Sequence, residues 1–243
     1  MIKYFSISNG GIQANAHNGN WLSVSNPTDE EKEQLHNVYE LPKNFFSLGR
    51  KYSNVSFFKK YQTEDKKPLC LMLFTDIKSI DDPESLSSSV SIFLTSDVLI
   101  TVCEKPLIDE VLENYESEIF TKAGLILHTL QIINEHYLIF LRKQRKMIEE
   151  ISQGTSNGSN KNILEKTTDT EKRLVYIDNL LKEQRRTITH LLDSSLVSSD
   201  RDLAIEIELQ TKQATTSVQI YREMLGSISG LIDSMMDNRL NQL

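Results

Sequence analysis

The sequence predicts an α/β (α+β) amino-terminal domain with a mixed sheet, followed by long stalk helices in a coiled-coil-like arrangement. Three observations lead there. Up to Cys103 the apolar residues come in short runs separated by polar turns, the pattern of strands. From Pro106 onward the apolar spacing becomes helical and stays so. The final stretch, Ser199 to Leu243, has no proline and carries a sustained seam: Ile207, Ala214, Val218, Tyr221, Leu225, Ile228, Ile232 and Met235. These recur at steps of four and three after a first step of seven, the spacing of a helix packed along its length. The division falls at residues 1–118 and 119–243.

Lys3 to Ile7 and Asn20 to Ser25 read as short strands on either side of a loop rich in glycine and asparagine. Thr28 then caps a helix, and Glu31 three residues later completes a capping box. Leu41-Pro42 opens a second short helical turn. Val55 to Tyr61, Leu69 to Phe74, Val90 to Thr95 and Val98 to Cys103 follow as strands, joined by polar turns that include Asp81-Asp82-Pro83. Leu107 to Ser117 is a short acidic helix. Phe120 to Ser152 is a long one whose seam, Ile126, Leu130, Ile133, Tyr137, Phe140, Met147 and Ile151, is broken at Gln144. After a flexible turn at Gln153 to Asn160, a third helix from about Thr168 to Ser194 places Leu174, Ile177, Leu181, Ile188 and Leu191 on its apolar side. Short polar joints favour antiparallel neighbours, so these two helices form a hairpin beside the last one. At about 1.5 Å per residue that last helix reaches roughly 65 Å and projects from its domain.

Composition narrows the function. A net charge of −7 argues against nucleic acid, which needs clustered positive charge, and is easier to reconcile with divalent cations. Tyr52, Phe57 and Phe58 beside Arg50, Lys51, Lys59 and Lys60 read as a strand with a wet face. The two cysteines, Cys70 and Cys103, sit in apolar runs as small buried hydrophobes. Met1 to Ile12 lacks the apolar core of a secretory signal. The stretch from Ala123 to Leu141 carries too many polar residues to pass as a membrane span. No phosphate-cradling loop, nucleophile elbow or His-Glu-x-x-His pair occurs, so no enzyme is expected. His128 and His136 lie eight apart, too far to ligate one ion from a single helix.

Two acidic patterns remain. Asp233, Asp237 and Asn241 are four apart and share nearly one face. On a lone helix this is a solvated stripe; in a parallel ring of identical helices it becomes stacked rings of oxygen ligands suited to hydrated Mg2+. Asp202, Glu206 and Glu208 form a second cluster, read alone as a solvated helix start. No stop signal punctuates Asp237 to Leu243, so the natural sequence is expected to continue beyond Leu243.

Taken in order, several fragments resemble the cytosolic part of the CorA family of magnesium and cobalt transporters. Trp21-Leu22, Asn26-Pro27-Thr28 and Leu41-Pro42 resemble its amino-terminal pattern. The run Ile220-Tyr221-Arg222-Glu223-Met224-Leu225, through Asp233 to Asn238-Arg239-Leu240-Asn241, resembles the segment entering the family's first membrane helix. The family's Gly-Met-Asn signature and two membrane helices would lie past Leu243. The resemblance implies a homopentamer whose final helices line a cation path, with this portion on the cytoplasmic side of the cell membrane. It further implies Asn241 as the pore-facing asparagine, Asp237 one turn before it, and Glu206 near an acidic ion-sensing position. The sequence departs from the family at Ser47, Leu48, Gly49, Arg50 and Lys51, where relatives carry acids, and Gly230 occupies a place where an acid would line the inner mouth.

The function expected from this resemblance is that of a cytoplasmic regulatory domain of a divalent-cation (Mg2+, Co2+) channel. Asp202, Glu206 and Glu208 would hold regulatory Mg2+ between subunits and keep the pore closed. Zinc or another divalent ion as cargo is an alternative within the family. A soluble coiled-coil scaffold is the alternative of a different class.

Overall fold

The structure, a computed structural model, describes residues 1–42, 45–47, 55–62, 68–77, 87–156 and 160–240. Among these residues, seven strands form one sheet: β1 (Ile2–Ser8), β2 (Gly11–Asn15), β3 (Trp21–Val24), β4 (Phe57–Gln62), β5 (Pro68–Ile77), β6 (Ser87–Thr95) and β7 (Leu99–Val102). Their order is β2-β1-β3-β7-β6-β5-β4. The sheet is mixed, as expected: β3 and β7 run parallel and the other neighbours antiparallel.

The sequence reading places the later strands close to where they form but omits β2. Its segment, Gly-Ile-Gln-Ala-Asn, is too polar to register as a strand, yet it pairs with β1 from Ser8↔Gly11 to Tyr4↔Asn15 across the tight Asn9-Gly10 connection. Gly11 makes the turn with φ at +94°. Gly19 is required sterically, because a Cβ there would lie 2.0 Å from the Phe5 carbonyl oxygen. Asn20, next to it, accepts from Ile7 N (2.7 Å) and donates to Ile7 O (2.8 Å), holding the return of the chain against β1.

Helix α1 (Asp29–Tyr39) begins at the expected capping box: Glu31 N donates to Thr28 Oγ1 (3.2 Å) and Thr28 N to Glu31 Oε2 (2.9 Å). The amino-terminal ammonium of Met1 also reaches Glu31 Oε2 at 2.9 Å, joining β1 to the helix start. Residues 45–47 are helical, matching the turn expected after Leu41-Pro42, and Phe45 N donates to Pro42 O (2.8 Å). Leu48 to Tyr52 and Asp81-Asp82 lie outside the described residues.

Alternation along the strands splits the apolar side chains between two layers. Leu22, Leu71, Phe93 and Ile100 face Leu35 of α1 with Leu41 and Phe45. Their chain neighbours Trp21, Met72, Ile92 and Leu99 face the other way and join a core that continues without a break into the long helices. Lys59 and Lys60 on β4 are exposed, which agrees with a wet face.

Beyond the sheet come α2 (Lys105–Tyr115), a 3-10 turn (Glu116–Glu118), α3 (Lys122–Ser156), α4 (Asn160–Leu192), a second 3-10 turn (Ser195–Asp200) and α5 (Arg201–Leu240). Both hairpin helices are longer at the tip than expected: α3 continues four residues past Ser152, and α4 starts at Asn160 rather than near Thr168. Packing across the tip explains this. Ile163 is buried against Gly154, where an added Cβ would sit 3.1 Å from its Cδ1. Thr155 and Thr167 turn their hydroxyls back onto the carbonyls of Ile151 and Ile163. These contacts overcome weak helix propensity around Gln153 to Ser156.

Inside the stalk, α5 packs on both hairpin helices and runs parallel to α3. Asn134 meets Ile207 and Thr211 near one end, while Thr155 and Ile163 meet Ile232 and Met235 at the other. The predicted seams face the packed interior, with Met147, Tyr221, Ile228 and Met235 half-buried and the others buried, and their gaps are filled by enclosed polar residues: Gln144 in α3, Gln184 in α4 and Thr211 in α5.

Candidate functional site

The head of α5 carries the first expected acidic group. Asp202 and Glu206 are one turn apart, exposed, and share a face, with Gln210 Nε2 donating to Glu206 Oε1 at 3.3 Å. Glu208 is exposed as well, but two residues correspond to about 200° of helix rotation, so it leaves α5 in nearly the opposite direction.

Two carboxylates that the sequence reading did not include share a neighbour, Tyr115, with Glu206. The Tyr115 hydroxyl, at the end of α2, donates to Glu135 Oε1 of α3 at 2.9 Å. Burial pushes this phenol up to about 12, helped by its bond to Glu135 and by the charges of Glu118 and Glu206. Glu118, Glu135 and Glu206 therefore converge on one tyrosine from a 3-10 turn, α3 and α5. Their separation in the sequence, 118, 135 and 206, leaves no spacing signal to find them by. Their carboxylates stay apart: among the described residues, no three His, Cys, Asp or Glu side chains come close enough to hold a metal ion.

Lower on α5, Asp233 and Asp237 are exposed and one turn apart, and neither enters an ion pair among the described residues. Asn241, the third member of that stripe, lies outside the described residues. Gly226 and Gly230 face open space, with nothing within 4 Å of an added Cβ. Above them α5 is pinned to α4: Arg222 Nη1 lies 2.5 Å and Lys182 Nζ 2.8 Å from Oδ2 of the buried Asp178.

The two histidines of α3 stay separate, as their spacing requires. His128 stacks on Tyr115 with ring centroids 4.4 Å apart and bonds Gln131. His136 bridges Asp76 of β5 and Glu110 of α2. Cys70 and Cys103 are buried free thiols, and burial raises both above the usual thiol range.

One surface of α5 remains apolar and uncovered. Ile205, Leu209, Ile220, Met224 and Leu231 are exposed on the side away from the buried seam. Among the described residues no helix is long and apolar enough to cross a membrane.

Comparison with known proteins connects these features. The sequence pattern of the family described as CorA-like Mg2+ transporter protein matches residues 17–243. The cobalt/magnesium transport protein CorA of Methanocaldococcus jannaschii is 20% identical over 234 residues, covering 92% of this chain and 72% of that protein. In structure, the complete CorA magnesium transporter from Methanocaldococcus jannaschii superposes with a TM-score of 0.80 at 19% identity, over 100% of this chain and 79% of that one. The ZntB cytoplasmic domain from Vibrio parahaemolyticus superposes with a TM-score of 0.77 at 13% identity, over 97% and 98% of the two chains.

Proposed function

Because the chain belongs to the CorA-like Mg2+ transporter family, we propose that it is the cytoplasmic regulatory portion of a homopentameric divalent-cation channel in the cell membrane. In this reading residues 1–118 form the α/β unit and 119–243 the stalk. Asp202, Glu206 and Glu208 bind intracellular Mg2+, and Asp233, Asp237 and Asn241 face the ion path. The transported ion is Mg2+ or Co2+, the cargo named for the Methanocaldococcus jannaschii relative.

The observation that carries the proposal is the two-sided character of α5. One side is filled by α3 and α4, while the other presents Ile205, Leu209, Ile220, Met224 and Leu231 with Asp202 and Glu206 at its head. A ring of identical copies covers such a surface and brings the acids of neighbouring subunits together. Divalent ions held there offset carboxylate repulsion and favour the closed ring. Losing them lets the subunits splay. The ions regulate only through tighter binding to the closed ring, since equal affinity for both states shifts nothing. The opposed directions of Asp202/Glu206 and Glu208 suit ligands reaching two different neighbours better than one ion within one chain.

The test is ion flux through the full-length protein with Asp202→Asn, Glu206→Gln and Glu208→Gln combined. Inhibition by internal Mg2+ is expected to weaken; unchanged inhibition would overturn the sensor assignment. The shared fold of the ZntB cytoplasmic domain is compatible with the second reading, zinc as cargo. Parallel flux assays with Mg2+ and Zn2+ separate the two.

A further inference from the structure

Three elements distant in sequence meet at one imidazole. His136, on α3, lies with Nδ1 2.7 Å from Asp76 Oδ1 on β5 and Nε2 3.0 Å from Glu110 Oε2 on α2. Asp76 is buried at 4% exposure, and its Oδ1 also accepts from Ile77 N at 2.8 Å. A neutral imidazole has one N–H and one lone pair, so it can donate to only one of two carboxylates; the imidazolium donates to both. Among the described residues no lysine or arginine is bonded to Asp76 or Glu110, which leaves His136 as the cation between them.

We propose that His136 is a proton-loaded clamp holding β5, α2 and the first stalk helix together, so that the tightness of the joint between sheet and stalk follows pH. The proposal stands on these contacts and not on the ion-transport reading.

Charge at the junction fits this role. Burial is the largest single influence on His136 and opposes its charge, but Asp76 and Glu110 together outweigh it and push the imidazole up to about 9. Among the described residues, two other groups that feel the Asp76 charge, Cys103 and Tyr137, stay neutral through neutral pH. Burial pushes the Cys103 thiol, just past β7, up to about 12, and it raises Tyr137 on α3 well above the usual phenol range, with a smaller push from Tyr176 of α4. Since the folded value lies above the ordinary histidine value of 6.5, the stabilisation is complete below pH 6.5 and is lost progressively as pH rises through 9. Deprotonation leaves one of the two carboxylates facing a lone pair and loosens α2 first, because the Glu110 side chain is the more exposed of the two.

Proton NMR of the imidazole resonances from pH 5.5 to 10 tests this directly. His136 is expected to titrate near pH 9, and a midpoint at or below 6.5 would overturn the proposal. The melting temperature is expected to fall between pH 6.5 and 9, with His136→Gln flattening that slope; an unchanged slope counts against the clamp. Should His136→Gln fail to fold, Glu110→Gln alters only the more exposed contact and should lower the His136 midpoint by about one pH unit. An unmoved midpoint would show that Glu110 takes no part.

Discussion

Sheet and stalk bury polar side chains on different terms. In the sheet, Trp21 Nε1 donates to Thr101 Oγ1 at 3.1 Å, and that hydroxyl donates onward to Leu22 O at 3.4 Å. Asp76 is held by a backbone N–H and an imidazole. The helices carry the exceptions. Among the described residues, Asn134 Oδ1, Gln144 Oε1, Asp178 Oδ1, Gln184 Nε2 and Gln210 Oε1 are enclosed with no hydrogen-bond partner, and all five lie in α3, α4 and α5. An enclosed unpaired polar atom costs about 1–3 kcal/mol, so the stalk keeps a penalty that the sheet avoids. The sheet is thus a platform with satisfied polar groups, whereas the helix bundle is held less deeply in its present arrangement. That contrast fits the proposed gating, in which the stalk rearranges while the α/β layer holds its shape.

One kind of substitution, polar to apolar at equal volume, should act with opposite sign in the two regions. Thr101→Val removes the acceptor of the buried Trp21 N–H and is expected to cost about 1–3 kcal/mol in urea denaturation. A neutral result would break the contrast. Gln144→Leu, in the seam of α3, removes an orphaned carbonyl and extends an apolar row from Phe140 to Met147. It is expected to raise stability by about 1 kcal/mol, seen as a higher urea midpoint with an unchanged slope. A loss there would show that Gln144 sets the helix register rather than merely tolerating burial.

Much of this organisation is legible in the sequence where the signal is local. The capping box at Thr28, the strand alternation and the three helical seams depend on residues within a few positions of one another, and each is found where its pattern predicts. Longer-range effects leave no such trace. β2 is a polar segment fixed by pairing with β1, and the hairpin tip is helical because Ile163 packs on Gly154. The seam gaps at Gln144, Gln184 and Thr211 are visible as interruptions, but burial of their polar side chains follows only from how the helices meet. The candidate site divides likewise. The four-residue steps of Asp202/Glu206 and Asp233/Asp237 announce shared faces, while Glu118, Glu135 and Glu206 come to act on one tyrosine, Tyr115, only through the fold.

The smallest effect on the chain itself is expected on the uncovered face of α5. Leu209 is 61% exposed and Ile205, one turn earlier, is 48% exposed, so neither holds the helix to α3 or α4. Replacing both with serine should change the unfolding free energy by less than about 0.5 kcal/mol per site, as for other surface positions. Assembly should respond differently, because the same side chains supply apolar area to a neighbouring copy in the proposed ring. Sedimentation of the full-length protein is expected to show weakened self-association in the double variant while its melting temperature stays near wild type. A large loss of stability with intact assembly would reverse the assignment of faces. Loss of assembly at constant stability follows only if this side of α5 is completed by another subunit, which would make the stalk, unlike the sheet, a structure that one chain leaves half built.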